Sequence, residues 1–213
     1  MLLKLLLIQE PILSKPLKEY VQPVLGEHGR GEKIRLSFER ANTKVTALAA
    51  SATWRRKGTR RGLFWEAAVE NLIDLTQDDP DLSIVEHNDT ISFIFEKDVL
   101  VRLKKADYSL HSSNYPTPTA ELFHEHDADL FGFSGLQRVE AVYVPNRFDT
   151  DVLWTGIVAR DGKTELWHFE LAEPVAVSPV MLPAIPPTPA ADLVTVKNQA
   201  KKANRKQDKD GRQ

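Results

Sequence analysis

Residues 102–117 read Arg-Leu-Lys-Lys-Ala-Asp-Tyr-Ser-Leu-His-Ser-Ser-Asn-Tyr-Pro-Thr, the most unusual stretch of the chain. Three cations, Arg102, Lys104 and Lys105, run into a loop that offers Asp107, His111, Ser112, Ser113, Asn114, Tyr115 and Thr117. Lys and Arg supply charge to a phosphate, and small hydrogen-bonding side chains position it. On a strand, Arg102 and Lys104 fall on one face. The same residues also suit a plain connection whose Asp, Ser and Asn satisfy their own backbone turns.

A second basic cluster, Trp54-Arg-Arg-Lys-Gly-Thr-Arg-Arg-Gly62, interleaves Arg55, Arg56, Lys57, Arg60 and Arg61 with glycines beside an aromatic. That composition suits phosphate contacts and base stacking. It equally suits a solvated helix connection that pairs with acidic residues elsewhere. A third candidate, Phe123-His-Glu-His-Asp-Ala-Asp129, holds the ligand types of a metal site in His124, His126, Asp127 and Asp129. Its spacing is not the His-Glu-x-x-His of a metalloprotease helix, so an exposed acidic loop is expected, with no metal and no other cofactor. Asp81, Glu96 and Lys97 fail the Asp/Glu-x-Lys pattern of a Mg²⁺ nuclease, because adjacent strand residues point to opposite faces. Walker A, Gly-x-Gly-x-x-Gly, Gly-x-Ser-x-Gly and kinase signatures are absent, which argues against ATP-driven, nicotinamide and α/β-hydrolase chemistry. No catalytic residue is assigned, and whether the protein is an enzyme stays open.

The elements that must position these residues change period along the chain. Residues 1–77 read as helical: Ile12, Leu13, Leu17, Tyr20, Val21 and Val24 recur at three- and four-residue spacing, and Gly26, Gly29 and Gly31 end that helix. A second run covers Ile34, Leu36, Phe38, Val45 and Leu48, and an amphipathic helix follows through Leu63, Phe64, Ala67, Ala68 and Leu72. Residues 78–173 read as β-rich. Strands are expected at 90–97 and 99–104 with a turn at 96–98, then at 137–144, 152–159 and 164–171, the last two joined by an Asp161-Gly162 hairpin turn. Thr117 or Thr119 caps a short helix through Glu121, Leu122 and Phe123. Residues 174–213 read as a proline-rich linker and a disordered basic tail. The expected fold is α+β, with N-terminal helices packed on an antiparallel sheet of about five strands.

The 213 residues carry a net charge of −2 and contain no cysteine. Disulfides and thiolate chemistry are thereby excluded, and a reducing compartment is suited. Behind that small net charge, residues 1–77 hold an excess of Lys and Arg, while 78–151 hold an excess of Asp and Glu. The N-terminal run Met-Leu-Leu-Lys-Leu-Leu-Leu-Ile is too short for a signal peptide or a membrane span, so a cytoplasmic location and no membrane partner are expected.

At Val101-Arg-Leu-Lys-Lys-Ala-Asp107, Ser112-Ser-Asn-Tyr-Pro-Thr117 and Leu166-Trp-His-Phe-Glu-Leu171, the chain resembles a group of bacterial proteins carried on prophages and other mobile elements. Members sit beside helix-turn-helix regulators fused to an ImmA/IrrE-type metalloprotease domain. The likeness spans about residues 63–171 and implies the toxin half of a toxin–antitoxin or phage-defence pair. It implies an antitoxin or regulator protein as a partner and supplies no catalytic residues, while the basic clusters make nucleic acid the other expected partner. The competing expectation is a non-enzymatic interaction module that binds a regulator.

Overall fold

Apolar side chains at every third or fourth position of residues 34–45 must share one helix face. In the computed structural model, which describes residues 15–51, 54, 56–87, 90–112, 118–126, 130 and 135–172, Ile34, Phe38, Ala41 and Val45 are fully buried. They lie on α2 (Arg30–Ser51), which packs along α3 (Lys57–Thr76). The α3 stripe of Phe64, Ala67, Ala68 and Leu72 is buried with them. Before them, α1 (Lys18–Gly26) is joined to α2 by a one-turn 3-10 helix (Glu27–Gly29). His28 (φ 50°) and Gly29 (φ 63°) are left-handed there and turn the chain. Gly31, expected as a stop, instead lies inside α2. A Cβ added to it would meet Leu171 Cδ2 at 3.1 Å and Leu25 O at 3.3 Å, so this glycine serves a close approach.

The strands are β1 (Leu82–His87), β2 (Thr90–Phe95), β3 (Val99–Lys105), β4 (Gln137–Pro145), β5 (Val152–Asp161) and β6 (Thr164–Glu170), with α4 (Pro118–His124) between β3 and β4. They form one sheet in chain order, and the fold is α+β as expected. Two expectations are corrected. The sheet has six strands, because the largely exposed edge strand β1 pairs along its whole length with β2. It is also mixed: β3 and β4 pair in parallel from Val99↔Gln137 to Lys105↔Tyr143. A parallel pair needs a long crossover, which residues 106–136 provide. The Asp161-Gly162 turn joins β5 to β6, with Gly162 left-handed (φ 58°).

The main core lies between α2, α3 and one sheet face, on which Phe93, Phe95, Val101, Leu103, Val139, Ala141 and Ile157 are buried. Tyr143 stacks on Phe64 with ring centroids 4.1 Å apart, and Phe38 leans on it at 5.3 Å. Each large apolar side chain so buried contributes about 1.5–3 kcal/mol. Across the sheet, Phe123 of α4 joins Ile94, Leu100, Leu130 and Leu136 in a smaller cluster. The contact pattern divides the chain after Pro174. The proposed tail and the first 14 residues lie outside the described residues.

One buried ion pair ties three turns together. Arg30 donates Nε and Nη2 to the Asp79 carboxylate at 2.7 and 3.1 Å, and Nη1 to Glu96 Oε1 at 2.5 Å and Val24 O at 2.9 Å. The β2–β3 turn it reaches is left-handed at both Glu96 (φ 53°) and Lys97 (φ 63°), a geometry usually given to Asn-Gly. Glu96 and Lys97 are therefore turn residues and offer no strand-borne nuclease pair. Breaking a buried pair leaves an uncompensated charge, so Asp79→Asn should cost about 3–5 kcal/mol of unfolding free energy in urea. Lys44→Ala, at the exposed Lys44–Glu70 pair, should cost less than about 1 kcal/mol. Equal losses would contradict the role given to Arg30.

Candidate functional site

Because β3 and β4 are parallel, they end side by side at Lys105 and Tyr143. The first turns of α3 lie over that end. Arg61 and Trp65 on the helix, with Gly58 and Gly62 between them, face Leu103, Lys104, Lys105 and Tyr143 across a groove of about 340 Å³. A Cβ on either glycine would meet nothing within 4 Å, so the groove stays open along the helix. Arg60 lines a crevice beside it with Lys105 and Asp149. The N-cap of α3 is Arg56, extended and without a side-chain cap, and the first turn holds no acid. The helix dipole and the basic side chains thus add to one positive potential.

Among the described residues, Arg60 and Arg61 form no ion pair, whereas Lys105 is held by Asp149 at 2.5 Å. The Lys104 side chain points to the other sheet face, where burial pulls its ammonium below the ordinary lysine range and Glu140 partly offsets this. Burial pushes the Tyr143 phenol up and Asp149 adds to this, while Arg61 and Arg60 pull it back. Tyr143 therefore stays a neutral donor at the groove floor. Net cationic charge, an aromatic wall and open space together are what a phosphate backbone requires.

A second cluster occupies the opposite sheet face. Glu140, 1% exposed, accepts a hydrogen bond from Ser112 Oγ at 2.7 Å and lies 3.4 Å from Arg160 Nε and 3.7 Å from His124 Nε2. Arg160 also donates to Leu110 O, and Leu110 is left-handed (φ 59°), a strained conformation for a bulky residue. Arg138 donates to the carbonyls of Leu122 and Glu125 at 2.7 and 2.8 Å and so holds the end of α4. His124, Ser112 and Arg160 open onto a cleft of about 600 Å³, whose rim carries both acids and bases.

These faces divide the residues singled out in the sequence. Lys104 and Arg102 do share a face. Arg102, however, is 3% exposed, donates Nε to Ser92 Oγ at 3.0 Å and sits 4.3 Å over the Phe123 ring. Burial lowers its pKa to about 10. Arg102 is thus a wall of the covered face and not a surface phosphate contact, because α4 closes over it. Asp107 accepts bonds from Ser109 N, Ser109 Oγ and His111 N and is occupied in holding its own loop. Lys105 and Arg60, distant in sequence, meet in the crevice at the end of β3, and Arg56 sits exposed at the α3 cap. Arg55, Ser113, Asn114 and Tyr115 lie outside the described residues, as do Asp127 and Asp129. His124 and His126 are not an exposed loop: both are largely buried against β4 and β5. Among the described residues, His28, Asp79 and Asp81 bring ligand-type atoms within 4.8 Å, yet both Asp79 oxygens are already used by Arg30. Trp65, Tyr143, Glu140 and Arg160 were not singled out. The only signal for Glu140 and Arg138 is a charged alternation inside an otherwise apolar strand.

Comparison with protein-family models, with curated proteins and with solved structures returns no match. No helix among the described residues is long and apolar enough to cross a membrane.

The buried histidines give a pH signature. His126 Nε2 lies 2.6 Å from Arg160 O. A carbonyl only accepts, so the proton sits on Nε2. Its Nδ1 is buried with no hydrogen-bond partner among the described residues. Burial lowers the pKa of both His124 and His126 from their ordinary 6.5. Below that value the unfolded chain binds protons that the folded chain refuses, so stability is full above pH 6.5 and falls as pH drops toward the folded values. Urea midpoints should decline between about pH 6.5 and 5, and His126→Gln should flatten part of that decline. A level profile in the unmodified protein would contradict the burial of these rings.

Proposed function

We propose that the protein is a small, toxin-like effector that acts on or near nucleic acid and is held in check by a partner protein. The groove between α3 and the ends of β3 and β4 is its phosphate-binding surface. One observation carries this reading: two basic segments more than forty residues apart in sequence converge on one open groove with an aromatic wall. Arg60 and Arg61 supply charge, Lys105 is steered by Asp149, and Tyr143 donates from the floor. The resemblance of residues 63–171 to mobile-element proteins supports the effector role.

Each phosphate contact steepens the fall of affinity with salt by about one in the log–log slope. Arg60→Ala/Arg61→Ala should therefore flatten that slope by about two and weaken binding at low salt regardless of base sequence. Induced expression in bacteria should arrest growth with the native chain and not with this variant. An unchanged slope, or unchanged growth arrest, would remove the groove from the account. A partner-binding role is favoured by the exposed Tyr108 (69%) and Leu153 (56%). It predicts instead an interaction that barely responds to salt.

A further inference from the structure

Phe148 is 79% exposed, the most exposed large apolar side chain among the described residues. It is not on a loose loop. The turn from Asn146 to Asp151 is held at every step. Asn146 Oδ1 accepts from Phe148 N and Thr150 N at 3.0 Å each, and Asn146 Nδ2 donates to Thr150 Oγ1 at 2.8 Å. Asp149 N donates to Asn146 O, and Asn146 N to Asp151 O. Asp149, left-handed at φ 56°, then fixes the turn to Lys105 on the rim of the basic groove. A large aromatic is therefore presented to solvent from a hydrogen-bonded turn that Asp149 ties to Lys105 of the groove. Its neighbours Arg147 and Asp149 are charged. The surroundings are thus a poor match for an apolar protein anchor and a good one for a base above a phosphate track.

We infer that the ligand of the groove is single-stranded nucleic acid, with an unpaired base stacked on Phe148 while its phosphates run past Arg60 and Arg61. This rests on the phosphate-binding reading of the groove and adds to it the class of strand. A duplex keeps its base faces stacked and offers Phe148 nothing, whereas a single strand exposes one face per nucleotide.

Fluorescence anisotropy on the full chain tests this, using a labelled oligothymidylate and a mixed-sequence duplex of equal length at one salt concentration. The native chain should bind the single strand at least about tenfold more tightly than the duplex. Phe148→Ala should lose about tenfold on the single strand, keep its duplex affinity and salt slope, and keep its melting temperature. Phe148→Trp should retain single-strand binding. Equal affinity for both probes, or undiminished single-strand binding by Phe148→Ala, overturns the inference. If Arg60→Ala/Arg61→Ala still weakens binding in that case, the phosphate reading stands without it. Absence of binding to either probe overturns both.

Discussion

The parallel pairing of β3 with β4 is the constraint from which the rest of the architecture follows. Two parallel neighbours cannot be joined by a tight turn. The chain must leave the end of β3, cross one sheet face and re-enter at the start of β4. That crossing brings Phe123 and Leu130 over the face that α2 and α3 leave bare. The central strands are therefore covered on both sides, and β4 is buried along nearly its full length. The same pairing aligns the ends of two strands at the point where α3 begins. A groove there is a consequence of topology before it is a consequence of any side chain, and the sequence then lines it with cations.

The covered face carries an electrostatic cost that the fold must offset. Ionisable groups taken out of water lose several kcal/mol each unless their partners are well placed. Glu140 answers this by serving Ser112, His124 and Arg160 at once. Arg138 does so by capping α4, whose seven residues are too few to hold a helix without help. A cation at the C-terminal carbonyls also suits the helix dipole. The polar cluster and the crossover thus stabilise each other. Its histidines make the arrangement sensitive to acid, since burial that suits a neutral ring opposes a charged one.

Much of this was legible in the sequence, and the misses share a cause. Strands β2 to β6 follow from period and turn chemistry, with ends within two residues of those read from the pattern, whereas α3 starts at Lys57, six residues before the apolar stripe that marks it. Those signals are local. The alternation of Leu100, Arg102 and Lys104 with Val99, Val101 and Leu103 correctly separates two faces. It cannot say that a helix from the crossover will cover the polar one, so Arg102 read as a surface cation. β1 escaped because an edge strand with one half-buried face has a weak pattern. The meeting of Arg60 with Lys105, the Arg30–Asp79–Glu96 tie and the anchoring of the Phe148 turn to Lys105 depend on contacts distant in sequence. No period within a single segment encodes them.

Two polar regions now compete for the function, one on each side of the sheet, and they differ in kind. The cluster around Glu140 is mixed in charge and internally bonded, whereas the groove has Arg60 and Arg61 without carboxylate partners among the described residues and Trp65 along its wall. Amide chemical-shift mapping of the full chain, titrated with a short oligothymidylate, separates them most directly. The account predicts saturable shifts at Arg60, Arg61, Trp65, Lys105 and Phe148, with His124, Glu140 and Arg160 unmoved. Shifts confined to the α4 face, or none at any concentration, would contradict it.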